Sequence, residues 1–147
     1  MAIRRQDALG YQIGLLSRLF DRVLESEMAA YKVLPGQFPA LVMLYQQDGL
    51  TQADLCKRIN VEQPTMANTL NRMERDGLIR READASDKRR ARIYLTDRAL
   101  GFKDDLMETA RHVPTQALAG LSGGEQDMAF HLIGKMIENL KSSENQA

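Results

Sequence analysis

Residues 50–98 carry the pattern that most restricts the fold of this chain: a short helix, a tight turn, and a second helix with a polar outer face. Thr51 and Asp54 have the Thr-x-x-Asp spacing with which side chains cap the start of a helix. The next helix is predicted over residues 63–76, with its apolar side chains on one face, and Gly77 marks its end. This order of elements predicts a helix-turn-helix.

Two short strands are predicted after the helix-turn-helix, over residues 78–82 and 91–95, with apolar residues such as Ile93 alternating inward. The basic run 88–92 lies at the loop between them. Residues 50–98 hold eleven lysines and arginines against eight aspartates and glutamates, although the formal net charge of the whole chain is zero. The hairpin therefore concentrates positive charge in the middle of the sequence.

The segments on both sides of this pattern are predicted to be helical. Residues 6–31 repeat apolar side chains every three or four positions. Two more such stripes follow residue 99, with a break near Gly120. Long apolar stripes in a chain of this size need a partner surface, and a second copy of the chain is the simplest one. A self-contained helical bundle is the alternative.

The composition limits the class of protein. A chain of 147 residues is long enough for one ordinary domain, and 44% apolar with 27% charged residues is typical of a folded globular protein. The start lacks the apolar run of a secretory signal, and the longest apolar stretch, residues 38–44, contains Pro39 and cannot span a bilayer. A single cysteine suits a reducing compartment. We expect a cytoplasmic protein without a membrane partner.

The second helix of a helix-turn-helix can enter the major groove of DNA, where each base pair shows its own pattern of donors and acceptors. Gln63, Thr65 and Asn68 are polar residues near the start of that helix. Glutamine and asparagine amides can bond an adenine edge in a bidentate way. Pro64 suits the first turn, where its missing N–H has no intrahelical partner. Arg72 is farther along and better placed for backbone phosphates.

The charged tip of the hairpin predicts a second contact with DNA. Lys88, Arg89 and Arg90 can enter the narrow, electronegative minor groove beside the major-groove site. Asp87 would repel phosphate, so we expect it to hold an arginine in place through paired hydrogen bonds. The full set of predicted DNA contacts is Thr51, Gln52, Gln63, Pro64, Thr65, Asn68, Arg72, Lys88, Arg89 and Arg90.

These residues resemble the multiple-antibiotic-resistance regulator (MarR) family of winged helix-turn-helix proteins. The matching segments are residues 50–55 (LTQADL), 64–79 (PTMANTLNRMERDGLI), 84–90 (DASDKRR) and 94–96 (YLT), and the flanking helices agree in length and order. The resemblance implies a homodimeric transcriptional regulator, typically a repressor, bound to an inverted-repeat operator. It also implies a small-molecule or redox signal that changes the spacing of the two DNA-reading heads.

The family's roles fall on particular residues of this chain. Thr65 and Asn68 match the recognition helix, and Asp87 and Arg89 match the wing. Glu62 stands where the family often has a small hydroxyl that caps the recognition helix. This departure weakens the cap and places an acid near DNA.

The resemblance also assigns the parts of the chain. It implies a mainly α fold with a small β-wing, in which residues 35–98 form the winged helix-turn-helix. Residues 1–34 and 99–147 would form an intertwined dimerisation region within a single domain. A phenolic or other aromatic acid would lodge where the first, second and fifth helices meet the winged part. The residues expected to line that cavity are Tyr11, Tyr31, Phe38 and Tyr45.

Two other functions remain open on the sequence. A winged helix can be a protein-interaction module that does not read DNA. Alternatively, Cys56 lies beside Lys57 and Arg58, which could activate its thiolate and make the chain an oxidant sensor. However, Cys56 falls on the side of the third helix that is predicted to pack, which favours a buried structural residue.

Nothing in the sequence indicates an enzyme, a cofactor or a metal site. No nucleophile–base pair can be recognised, and His112 and His131 are far apart without a neighbouring cysteine. Residues 121–125 (LSGGE) are similar to the signature of ABC-transporter ATPases, but no GxxxxGK[ST] phosphate loop accompanies them. Ser122 and Glu125 instead predict a capping box for the last helix.

Overall fold

The computed structural model describes residues 4–147, which divide into two compact units, the first ending at Val113 and the second beginning at Pro114. The fold is mainly helical with one small sheet, as the sequence predicted. The elements in chain order are α1 (Leu9–Met28), α2 (Phe38–Gln46), β1 (Leu50–Thr51), α3 (Gln52–Ile59), α4 (Gln63–Arg75), β2 (Ile79–Ala83), β3 (Ala91–Leu95), α5 (Asp97–Gly101), α6 (Lys103–Ala110), α7 (His112–Ala117) and α8 (Gly123–Glu144). Short 3₁₀ turns at Ala29–Tyr31 and Pro35–Gln37 join α1 to α2.

The sheet is antiparallel, with β3 between β1 and β2. The pairing of β2 with β3 runs from Ile79 opposite Leu95 to Ala83 opposite Ala91, which is the predicted hairpin. The sequence predicted two strands, and the structure adds a third, because Leu50 pairs with Ile93 at the start of α3. A strand of two residues is too short for an alternating pattern, and its partner lies far along the chain.

The core of the first unit forms around the buried face of α4. Met66, Leu70 and Met73 are at most 2% exposed, and they recur at the spacing of one helical face. They belong to the same buried cluster as Leu55 of α3 and Ile93 of β3. The predicted inward faces of the two helices and of the hairpin are therefore confirmed.

Side-chain caps fix the starts of several helices where the sequence predicted them. The Thr51 hydroxyl accepts from the Asp54 N–H at 3.2 Å, and the Asp54 carboxylate accepts from the Thr51 N–H at 3.0 Å. These bonds lower the pKa of Asp54. Ser122 and Glu125 make the same reciprocal pair at the start of α8. Glu62 precedes α4 without a side-chain cap bond, so this helix relies on packing for its position.

The segment after the hairpin is less continuous than its apolar stripe suggested. Leu106, Ala110 and Val113 are buried as expected, but the helix is divided into α5, α6 and α7. Phe102 separates α5 from α6 with φ of −104° and ψ of 8°, outside the helical range. No helix among the described residues is long and apolar enough to cross a membrane.

Gly49 makes the turn into β1 and permits no side chain there. Its φ is +77°, and a Cβ atom would lie 3.0 Å from the Tyr94 ring. We expect Gly49→Ala to lower the free energy of unfolding by about 1–3 kcal/mol, because it adds left-handed strain and a close contact. Gly36→Ala is the matched control, since a Cβ atom at Gly36 meets nothing within 4 Å. Denaturant unfolding measures both, and equal stability of the two variants would contradict this assignment.

Candidate nucleic-acid interface

The face of α4 opposite the core is polar and exposed. Burial of Met66, Leu70 and Met73 turns the other side of the helix towards solvent. Pro64 lies in the first turn, where its missing N–H leaves no intrahelical bond unmade. The predicted contact residues of α4 are all exposed: Gln63, Pro64, Thr65, Asn68 and Arg72.

Helix α3 lies directly behind the start of α4. The amide nitrogen of Gln52 donates to the Gln63 side-chain oxygen at 2.9 Å and approaches the Gln63 backbone oxygen at 3.4 Å. Gln52 is half-buried. Thr51 is only 7% exposed, and its hydroxyl is occupied by the cap of α3. Its contribution to this surface is therefore to fix the start of α3.

The tip of the hairpin presents three exposed basic residues, Lys88, Arg89 and Arg90. Arg89 is held by Asp87, whose carboxylate accepts from the Arg89 Nε at 3.1 Å, Nη2 at 3.3 Å and backbone N–H at 3.0 Å. The bonds from Arg89 lower the pKa of Asp87. The Arg89 side chain nevertheless remains 91% exposed. The carboxylate therefore orients the guanidinium without covering it.

The loop of the hairpin begins at Asp84, a buried carboxylate that sequence reasoning did not assign. Its side chain is 2% exposed and accepts from the Ser86 N–H at 2.9 Å and hydroxyl at 2.8 Å. Arg92 Nε lies 3.2 Å and Arg90 Nη2 3.5 Å from the other oxygen. The Ser86 bonds, and then the two arginines, lower the pKa of Asp84. The Asp-x-Ser spacing typical of an Asx turn was the signal available in the sequence.

The hairpin and the two helices enclose a cleft of about 330 Å³. Gln52 and Gln63 line it from the helices, and Arg81, Arg89 and Arg90 line it from the hairpin. Arg81 is also paired with Glu74 of α4 at 3.2 Å, which connects the hairpin to α4. The structure therefore brings residues far apart in sequence onto one basic surface, which we call the α4–wing surface.

The four aromatic residues predicted to line an effector cavity are placed differently from one another. Tyr11 lies on α1 and is 67% exposed, whereas Tyr31, Phe38 and Tyr45 pack against the core. The Tyr45 hydroxyl donates to the Ala99 carbonyl at 2.6 Å, and burial raises the pKa of Tyr45 to about 12. Tyr31 shares a hydrogen bond of 3.4 Å with Thr109.

A larger cleft of about 650 Å³ lies where the end of α1 meets the end of α4. Its charged lining residues are Glu25, Lys32, Arg75, Asp76 and Arg98. None of these was singled out by the sequence as an effector contact, because they come from separate segments that only the fold brings together.

Cys56 is half-buried on α3 and packs against the core, on the side that its helical position predicted. Burial, and then the nearby Glu62 carboxylate, raise the pKa of the Cys56 thiol. A raised pKa reduces the thiolate fraction, which is the form that reacts with oxidants. The environment of Cys56 therefore favours a structural residue over a redox sensor.

Comparison with known proteins gives consistent matches. The MarR family model matches residues 34–91. The transcriptional regulator SlyA is 28% identical, with a TM-score of 0.83 over 90% of this chain and 94% of that one. A MarR-family regulator from Silicibacter pomeroyi is 28% identical, with a TM-score of 0.69 over 91% and 90%. Reduced AbfR bound to DNA shares the fold, with a TM-score of 0.80 at 22% identity over 93% and 92%.

Asp84 predicts a pH-dependent stability of the hairpin. Because its folded pKa lies below the usual 3.8, its contribution is complete at neutral pH and is lost as the pH falls through that lower value. Asp84→Asn removes the charge that pairs with Arg90 and Arg92. We therefore expect a lower unfolding midpoint than that of the unsubstituted chain at neutral pH, with the difference narrowing below about pH 4.

Denaturant unfolding over a series of pH values measures this difference. Asp21→Asn, at an exposed position in the middle of α1, is the control and should match the unsubstituted chain throughout. Equal midpoints for Asp84→Asn and the unsubstituted chain at neutral pH would remove Asp84 from the support of the hairpin.

Proposed function

We propose that this chain, whose residues 34–91 match the MarR family model, is a transcriptional regulator of that family, a ligand-responsive repressor that binds an inverted-repeat operator as a homodimer. The observation that carries the proposal is the α4–wing surface. An exposed polar helix face lies beside a hairpin whose arginines are held outward by carboxylates. We also propose a cytoplasmic location, because such a protein would act on DNA there.

The two parts of the α4–wing surface fit the two grooves of DNA. The major groove admits one α-helix, and residues near the start of that helix reach the base edges. Thr65 and Asn68 are exposed at that end of α4, and Arg72 lies farther along for a phosphate. The oriented guanidinium of Arg89 suits the narrow minor groove, where the negative potential is strong.

Homodimer formation is supported by apolar side chains that each unit leaves uncovered. Met28 is the buried residue of α1, at its end, and α8 has none. A globular chain rarely exposes such contiguous apolar surface without a partner. We assign residues 1–34 and 99–147 to dimerisation and residues 35–98 to DNA reading. The exposed apolar residues are Leu9, Ile13, Leu15, Leu16 and Leu19 of α1, and Met128, Phe130, Leu132, Ile133, Ile137 and Leu140 of α8.

The response to a ligand is supported by the larger cleft, whose volume suits a small organic molecule. Arg98 crosses this region and donates to the backbone oxygens of Asp76 and Tyr31, each at 2.7 Å. Gln37 donates to the Asp76 carboxylate at 2.9 Å. These bonds connect the end of the recognition helix to the end of α1, so a ligand that prefers one arrangement of them would change how α4 is presented to DNA.

Arg89→Ala should weaken binding to specific and random duplexes alike. Loss of one cationic contact per subunit releases fewer counterions, so we expect the slope of log K against log salt to fall by about one per subunit. Fluorescence anisotropy of a labelled duplex over a salt series measures the slope. Arg4→Ala, at an exposed residue outside the DNA-reading part, is the control. An unchanged slope for Arg89→Ala would remove the wing from the interface.

Lys32→Gln should weaken binding of an aromatic acid in the larger cleft. It removes one of the cations that line the cleft, and hydrogen bonds to charged groups contribute about 1.5–3 kcal/mol, so we expect a loss of roughly 10- to 150-fold. Calorimetric titration with 2-hydroxybenzoate, a phenolic acid used as a probe, measures the loss. Lys57→Gln, at an exposed lysine of α3, should bind as the unsubstituted chain does. Equal binding by both variants would move the effector site elsewhere.

A further inference from the structure

Gln52 and Gln63 occupy equivalent positions, because each is the first residue of its helix. Their side chains meet across the turn between the two helices, with the Gln52 nitrogen 2.9 Å from the Gln63 side-chain oxygen. The same nitrogen lies 3.4 Å from the Gln63 backbone oxygen. One amide group of α3 therefore contacts the recognition helix at the residue nearest its start.

The backbone carbonyl determines how both amides are oriented. A carbonyl oxygen can only accept, so the Gln52 atom that faces it must be the NH₂ nitrogen. That nitrogen can only donate, so the Gln63 atom that faces it must be the side-chain oxygen. A rotated amide at either residue would place two donors or two acceptors against each other. The pair therefore has one favourable arrangement.

The bond from Gln52 leaves the recognition edge of Gln63 intact. An amide oxygen has two lone pairs, and Gln52 occupies one of them. Gln63 is exposed, and its second lone pair and its NH₂ group remain side by side for a ligand. An adjacent acceptor and donor match the N6 amino group and the N7 atom of adenine in the major groove.

We propose that Gln52 is a specificity-determining positioning residue, which sets the Gln63 amide in the order that reads adenine without itself touching a base. The inference rests on the proposed DNA-binding function. A free glutamine samples both orders of its amide atoms and loses that freedom when it binds. Gln52 fixes the Gln63 amide before DNA binds, so this entropic cost is not incurred on binding. It also excludes the reversed order of the amide oxygen and nitrogen, which suits other base edges.

The test compares single base-pair substitutions in a duplex that the protein has selected from random sequences. Gln63→Ala identifies the base pair, because its adenine preference should fall by about 5- to 150-fold. Gln52→Ala should lower the preference at that same base pair by about 2- to 12-fold, the value of one neutral hydrogen bond. In a Gln63→Ala background, Gln52→Ala should cause no further loss of preference.

Gln52→Glu is a more specific variant for the same experiment, because it keeps the length of the side chain and removes the NH₂ group that donates to Gln63. A carboxylate at residue 52 accepts from the Gln63 NH₂ group and so reverses the order of the Gln63 amide atoms. We expect Gln52→Glu to reduce the adenine preference at the identified base pair by at least as much as Gln52→Ala does. Other base pairs of the half-site should keep their preferences.

Gln47→Ala is the matched control. Gln47 also bonds to α3, accepting from Arg58 at 2.6 Å, but at the opposite end of that helix, so its loss should alter no base preference. If Gln52 variants bind DNA with an unchanged adenine preference, or weaken all sequences equally, the positioning role is overturned while DNA binding stands. The absence of any adenine preference that depends on Gln63 also overturns it. If the unsubstituted chain binds no duplex, the proposed function fails and this inference with it.

Discussion

The buried stripe of α4 is the constraint on which the rest of the structure depends. Met66, Leu70 and Met73 are almost completely buried, and each contributes about 1.5–3 kcal/mol by leaving water. Rotation of the helix about its axis would expose them and bury polar residues in their place. The side chains that can meet a ligand are therefore those opposite the stripe, and Asn68 is exposed for that reason.

The acidic residues of the hairpin orient its arginines and leave them accessible to a ligand. Two carboxylates, Asp84 at the start of the loop and Asp87 at its tip, accept hydrogen bonds and arginine contacts without covering the Arg89 guanidinium. Pairing reduces the repulsion among neighbouring cations and limits their side-chain freedom before binding. A phosphate or a minor groove would then meet groups that are already oriented. The cost is that each carboxylate lowers the net positive charge of the wing.

The sequence predicted those features that depend on local patterns. Three features follow from spacing over a few residues, and the structure confirms them: the buried side of α4, the caps at Thr51 and Ser122, and the β2–β3 hairpin. Strand β1 was missed because it exists only through the pairing of Leu50 with the distant Ile93. The partners of Asp84 lie nearer in sequence, but Arg90 and Arg92 reach its carboxylate only after the loop has turned back.

The same reasoning explains what could be predicted of the candidate site. The polar residues of α4 and the basic tip were accessible from periodicity and composition. The Gln52–Gln63 bond and the cleft at the end of α1 could not be predicted. The bond depends on how α3 packs against α4, and the cleft depends on how α1 packs against α4. The aromatic residues proposed for an effector were chosen by resemblance alone, and three of them pack against the core.

Selection of bound sites from a pool of random duplexes tests the central claim most directly, because it reports DNA reading and symmetry together. A dimer that presents two copies of α4 to successive major grooves should enrich an inverted repeat, with half-site centres about 10 base pairs apart. Enrichment of a single unpaired half-site, or of no sequence at low salt, would contradict the account.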